Sequence, residues 1–292
     1  MSRLCDLSWE LFKKFGHDFP KSEAEAVGYK IATLPIICVP TTLSGAEFNA
    51  TGDATDDETK LKYLFSPGTR IGPNIILDPE LTLTVPMRTW IASGVKAIDH
   101  CVETVLSSKG IPETDAYAMN ALSVLIPGLL QSKADPKAIP PRLALQRAAV
   151  DAMRFIWFKV PIGGSHGIGH QLGPFGVFHG LTSCILMPSV QQYNRKVNKS
   201  KQEELTKFLC SKPEIANFLS SKGMDKNDVN LSNVLDVVIR ELDMPRTLKD
   251  VGIGEETFET IAVNSLHDWC CQTNPIPLTQ KEQVIEILRL AA

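Results

Sequence analysis

A chain of 292 residues, 43% hydrophobic and 22% charged, can bury a substantial core as one large domain or two moderate ones. Its net charge of −3, with no long Lys/Arg cluster, excludes the electrostatic footprint of a protein that binds nucleic acid or an anionic membrane. Its seven cysteines, an odd number with one adjacent pair and no C-x-x-C, exclude a zinc knuckle or a disulfide framework and point to a reducing, cytoplasmic setting.

In chain order, Leu7, Leu11, Phe12 and Phe15 share one face of a helix predicted over 7–15, and Thr33 to Val39 reads as a buried strand ending at Pro40. No apolar h-region precedes them, and no apolar run reaches the length of a membrane span. The loop Thr41-Thr42-Leu43-Ser44-Gly45-Ala46-Glu47 leads into a polar stretch, 51–60, that reads as a hairpin or an exposed loop. Pro73 to Asp78 forms a second strand. After Pro86 the period changes: Ile91, Val95, Ile98, Val102 and Leu106 follow helical spacing, and similar stripes run through 114–131, 142–160 and 232–242. Gly163-Gly164 reads as a helix start. The expected architecture is an α/β piece over 1–85, followed by an all-α domain over 86–292.

Two segments carry candidate chemistry. Ser165-His166-Gly167-Ile168-Gly169-His170-Gln171-Leu172-Gly173, running on to Phe178-His179-Gly180, places three histidines on a helix and its following loop. Ala92-Ser93-Gly94-Val95-Lys96-Ala97-Ile98-Asp99-His100 adds a fourth histidine with a lysine one helical turn before it. Taken alone, His166, His170 and His179 have the pattern of metal ligands beside a proton carrier. The bland alternatives are satisfied core histidines, and a Lys96 that snorkels to solvent or pairs with Asp99 or Glu103.

Together with Leu34-Pro35-Ile36-Ile37-Cys38-Val39-Pro40-Thr41-Thr42, Ile76-Leu77-Asp78-Pro79-Glu80-Leu81-Thr82-Leu83-Thr84-Val85-Pro86 and Asn274-Pro275-Ile276-Pro277-Leu278-Thr279, these segments resemble the iron-containing alcohol dehydrogenase superfamily. Among its branches the chain is most similar to maleylacetate reductase, and the resemblance runs from about residue 31 to the C-terminus. It implies a dehydroquinate-synthase-like fold, in which a dinucleotide-binding α/β domain and a helical domain enclose a cleft. It places Thr41, Thr42 and Ser44 in a loop facing that cleft and the Asn274-Pro275 segment near it, as substrate contacts, although Ser44-Gly45-Ala46 departs from the family's usual Gly-Ser-Glu order.

Two departures shape the functional expectation. The family's Gly-Gly-Gly-Ser turn, which cradles the cofactor pyrophosphate, has no counterpart in the first thirty residues, so the α/β part is expected to be a truncated, degenerate dinucleotide domain. Such a loss exposes a sheet edge, to be covered by the helix at 7–15 or by a second subunit in a homodimer. In metal-dependent members an Asp and three His ligate Fe or Zn; the matching positions are Lys96, His100, His166 and His179. An ammonium there repels a divalent ion, and Asp99, one residue from His100, points about 100° away around the helix. The branch resembling maleylacetate reductase also lacks that Asp and is thought to work without metal.

The expectation from sequence is therefore a metal-independent, cofactor-free enzyme acting on an oxygenated, carbonyl-bearing small molecule by lyase, dehydratase, isomerase or cyclase chemistry. Lys96 would supply the metal's positive charge, His170 would move protons, and His100, His166 and His179 would complete the site. The first alternative is an NAD(P)H-dependent reductase of maleylacetate type whose missing cofactor-binding region is supplied by another chain or by further sequence, with Fe or Zn at His100, His166 and His179 if a metal is used. The second is a non-catalytic pseudoenzyme. Cys270 and Cys271 are expected to be structural.

Overall fold

The computed structural model describes residues 36–49, 52–56, 58, 60–65, 74–225 and 228–292. The helix predicted over 7–15 and the start of the strand predicted over 33–39 lie outside the described residues.

The described strands form two small sheets. β1 (Ile37–Cys38) and β4 (Asn74–Ile75) pair in parallel, Ile37 opposite Asn74 and Cys38 opposite Ile75. The sequence predicted a buried strand here, yet Ile37 is 63% exposed. Ile75 packs on a small core of Phe48, Met153 and Phe155, while no described element covers the opposite face. β2 (Gly52–Thr55) and β3 (Lys62–Phe65) are antiparallel, with Gly52 opposite Phe65 and Thr55 opposite Lys62. This is the hairpin reading of 51–60, and its turn is closed by hydrogen bonds from Asp56 N to Leu61 O (3.0 Å) and from Lys60 N to Asp56 O (2.9 Å).

From Met87 onward the chain is helical, as its period required. α1 (Met87–Leu106) is the central helix, and every residue from Trp90 to Leu106 is buried. A helix buried all round must partner any polar group it carries, and α1 carries Lys96, Asp99, His100 and Glu103. α2 (Pro112–Ala134) packs tightly on it at Gly94, where a Cβ would stand 2.4 Å from Leu129 Cδ2. The 142–160 stripe divides at Met153 into α3 (Ile139–Ala152) and α4 (Arg154–Trp157). On α3 the buried Arg142 donates to Thr82 O (3.0 Å) and Pro136 O (2.9 Å), and Gln146 donates to Pro40 O (3.2 Å) and Asp78 O (3.3 Å). These bonds tie the loops after both parallel strands to the helical body.

α5 (Gly164–Leu172) and α6 (His179–Cys210) pack together beside α1. The predicted helix start at Gly163-Gly164 is where α5 begins. α7 (Pro213–Ser221), α8 (Leu231–Glu241), α9 (Phe258–Ser265), α10 (Trp269–Gln272) and α11 (Lys281–Leu290) complete one continuous apolar core. Among the described residues no helix is long and apolar enough to cross a membrane. The chain is a mostly helical body carrying small strand remnants, the class expected from sequence.

Candidate active site

Two acids on α1, one helical turn apart, seat the start of α5. Glu103 accepts from Gly163 N (3.0 Å) through Oε2 and from Ser165 N (2.8 Å) through Oε1, while Asp99 Oδ2 accepts from Ser165 Oγ (2.7 Å). A carboxylate at a helix N-terminus satisfies backbone donors that no helical carbonyl reaches. The glycines make room: a Cβ on Gly163 would stand 2.9 Å from Asn274 Oδ1, and one on Gly164 would stand 3.1 Å from Leu278 Cδ1.

This seating delivers His166 to His100. Their rings stack at 4.7 Å and 20°. His166 Nδ1–H donates to Glu103 Oε2 (2.8 Å), with Asp99 Oδ2 at 3.4 Å, so Nε2 carries the lone pair and has no hydrogen-bond partner. Glu103 and Asp99 are thus occupied by α5, whereas one of the bland sequence alternatives paired Lys96 with either of them. Asp99 reaches the histidine layer after all, because α5 comes to it. The signal missed was Glu103 at i+4 from Asp99.

Lys96 is 6% exposed, and its Nζ is hydrogen-bonded to His179 Nε2. Its ammonium is therefore held inside the cluster and does not snorkel. Burial, reinforced by the charge of Lys62 and opposed by Asp99 and Asp53, pulls Lys96 down to about 7. Burial also holds His100 and His166 well below the ordinary histidine range, assisted at His100 by His166 and at His166 by Lys96. Burial pushes Asp99 well up, with Glu103 adding to it, and raises Glu103 to about 7 against the N–H groups it accepts from.

His170 lies one turn beyond His166 on α5, stacked on His179 at 5.6 Å and 22°. Its Nδ1–H donates to Asp268 Oδ2 (2.7 Å). Asp268 caps α10 and accepts Cys270 N (2.9 Å) through its other oxygen. Burial opposes the Asp268 charge, but His170 and the Cys270 N–H outweigh it and hold the carboxyl below its usual range. Asp268 thereby fixes the His170 tautomer and leaves Nε2 free to carry a proton. Sequence reasoning passed over Asp268; its position as the cap of the short helix α10 was the available signal.

The loop predicted to face the cleft is pinned to the same helix. Leu43 N donates to Ser93 Oγ (3.0 Å), three residues before Lys96, and Thr42 Oγ1 donates to Ser44 Oγ (3.4 Å). Gly45 turns the chain at φ 71°, and a Cβ there would meet Met153 Cγ at 2.5 Å. Thr41, Thr42 and Ser44 are partly exposed at this corner. Asn274 is deeply buried: Oδ1 accepts from Gly164 N (3.0 Å) and Asn194 Nδ2 (2.9 Å), and Nδ2 donates to Asn194 Oδ1 (2.7 Å) and Ile276 O (2.8 Å). That amide is filled by protein partners and holds α5 in place. Cys270 and Cys271 are buried with thiols pushed well up by burial, as structural cysteines are.

The donor set is poorly suited to a divalent cation at the position the family resemblance implies. Among the described residues, the groups of ligand atoms lying within 4.8 Å of one another are His170–Asp268–Cys270 and Asp99–Glu103–His166; the set His100, His166 and His179 is not among them. The Nε2 of His179 is taken by the amine of Lys96, which places a cation where an ion would need an anionic ligand.

Comparison with known proteins places this geometry in a lineage. A model of the Fe-containing alcohol dehydrogenase family, C-terminal, matches residues 90–292. Dehydrogenase ALT3 of Alternaria alternata is 36% identical over 280 residues, covering 90% of this chain and 72% of that protein. Dehydrogenase FUM7 of Gibberella moniliformis is 36% identical over 292 residues, covering 94% and 67%. Thus the chain spans about 70% of the length of these two relatives. Among solved structures, a 1,3-propanediol oxidoreductase superposes with a TM-score of 0.74 at 26% identity, covering 90% of this chain and 69% of that one. Maleylacetate reductase from Rhizobium sp. strain MTP-10005 shares the fold, with a TM-score of 0.72 at 19% identity over 92% of this chain and 76% of that one. This chain belongs to the Fe-containing alcohol dehydrogenase family.

Proposed function

We propose that the chain is a metal-independent, nicotinamide-dependent reductase of an oxygenated, carbonyl-bearing small molecule, in which the Lys96 ammonium does the work of the family's metal ion. The observation that carries this reading is the Lys96 amine, buried among histidines and bonded to His179 Nε2. A buried ammonium aimed at a carbonyl oxygen stabilises the alkoxide or enolate that develops there, because it is already oriented and loses no solvent at the moment of reaction.

The described residues hold no counterpart of the family's pyrophosphate turn, so a reduced nicotinamide would have to be held in part by protein outside this sequence; bound so, it would supply the hydride. His170, as imidazolium, releases the Nε2 proton to the substrate and keeps its Nδ1–H on Asp268 throughout. The buried rings of His100 and His166, stacked on each other, would help keep water from the Lys96 charge. Thr41, Thr42 and Ser44 supply polar contacts from the loop at the end of β1, the side on which open α/β sheets present their ligands.

What favours a reductase over the non-redox lyase, dehydratase, isomerase or cyclase expected from sequence is the pair of relatives called dehydrogenases at 36% identity. The two readings use the same lysine and the same histidine, so cofactor consumption separates them. Mixed with NADPH or NADH and a panel of oxo acids, enones and aldehydes, the protein is expected to oxidise the cofactor in proportion to product. Product formation with no change in absorbance at the nicotinamide band would put the non-redox reading in its place.

A further inference from the structure

Resting on the reading that His170 carries the substrate's proton, we infer that His170, Asp268 and Cys270 form a zinc-binding site, and that Zn²⁺ bound there switches the proton carrier off. His170 Nδ1–H donates to Asp268 Oδ2 (2.7 Å), and Asp268 Oδ1 accepts from the Cys270 backbone N–H (2.9 Å). One ligand atom from each of the three side chains lies within 4.8 Å of the others, and all three residues are buried. The His170 side chain, 10% exposed, is the most open of them, so an ion enters past the histidine ring.

The donors are an imidazole nitrogen, a carboxylate oxygen and a thiolate sulfur, a mixture that suits zinc and not magnesium or calcium, which take oxygen. An ionised carboxylate and a thiolate together bring two negative charges, which compensate a buried divalent cation. Burial keeps the Cys270 thiol protonated until such an ion arrives, with Asp268 adding to the effect. The geometry asks for little movement. Ligand atoms about 2.1 Å from a tetrahedral ion stand about 3.4 Å apart, so Nδ1 and Oδ2, now at 2.7 Å, separate by about 0.7 Å. Asp268 and Cys270 sit on one short turn, because Asp268 caps α10. Lys96, bonded to His179, is one ring removed from the cluster, since His179 stacks on His170 at 5.6 Å. The second group of buried ligand atoms, on Asp99, Glu103 and His166, offers no such room. Its carboxylates accept the Gly163 and Ser165 N–H groups and the Ser165 hydroxyl that seat α5.

Zn²⁺ takes the place of the Cys270 thiol proton, which leaves to solvent, and it takes the Nδ1 lone pair that appears when the His170 proton moves from Nδ1 to Nε2. The ring then carries its N–H at Nε2 and neither accepts nor releases a proton there near neutral pH. Proton transfer stops while the ion stays. Because binding displaces both a buried thiol proton and the His170–Asp268 hydrogen bond, the affinity is expected to be on the order of micromolar. Zinc is thus a reversible inhibitor at this site and not a resident metal.

Titration of the full chain with Co²⁺, a spectroscopic stand-in for zinc, tests this with no substrate, no nicotinamide and no turnover, so its failure is distinguishable from failure of the reductase reading. One equivalent is expected to produce thiolate-to-cobalt charge-transfer absorption in the near ultraviolet, which Zn²⁺ abolishes and Mg²⁺ leaves in place. Cys270→Ser should remove the band, Asp268→Asn should weaken binding at least tenfold, and Cys271→Ser and Lys96→Met should both keep it. No thiolate band with Co²⁺ in large excess, a band that survives Cys270→Ser, or unchanged affinity in Asp268→Asn would overturn the assignment. So would loss of the band in Cys271→Ser, which would place the ion on the neighbouring thiol.

Discussion

Lys96→Met is expected to lower kcat by roughly 10²–10³-fold, the usual effect of deleting one preorganised donor to a developing oxyanion. Methionine preserves the apolar stem that α1 buries, so the variant should fold. The effect should appear in kcat more than in KM, because the ammonium gains most when the oxygen becomes negative. The pH profile gives an independent signature. Lys96 is held at about 7 by burial, and its protonated form is the one that acts. Activity of the unmutated protein should therefore be full below that pH and decline roughly tenfold per unit above it. In Lys96→Met that alkaline limb should vanish. Lys96→Arg, which remains charged throughout, should keep part of the rate and move the decline to higher pH.

Asp268→Asn is expected to cost roughly 10²–10⁴ in kcat, with the larger figure being what a comparable aspartate-to-asparagine change does to a His–Asp pair. The asparagine amide can present a donor to His170 Nδ1, which would favour the opposite tautomer and turn the free Nε2 away from its role. Steady-state kinetics at several pH values provide the check. A loss of stability alone would lower the melting temperature, whereas loss of orientation lowers kcat in a protein that melts where the unmutated one does.

Much of the fold was legible because helical spacing survives burial. The run from Ile91 to Leu106 predicted α1, and Gly163-Gly164 predicted the start of α5. Strand burial was not, because apolar composition at Ile36 and Ile37 says that a face wants covering and not what covers it. At the site, the residue identities of Lys96, His100, His166, His170 and His179 could be picked out by spacing and resemblance, and the structure brings them together as two stacked pairs, His100–His166 and His170–His179, that meet edge-on, with the Lys96 amine bonded to His179. Their supports were harder to see. Glu103 and Asp99 act across α1 and α5, and Asp268 meets His170 from 98 residues away. Such pairs exist only after the helices pack, so no local period announces them. Asn274 illustrates the converse: a residue near the cleft by resemblance whose amide is filled by Gly164, Asn194 and Ile276.

With Lys96 in the metal's place, as proposed, turnover requires no bound Fe or Zn. Elemental analysis of the purified protein, paired with turnover before and after exhaustive dialysis against a chelator, tests it most directly. Less than about a tenth of an equivalent of Fe or Zn per chain and an unchanged kcat after dialysis are expected. One equivalent of tightly held metal, with activity lost on its removal and restored on its return, would contradict it.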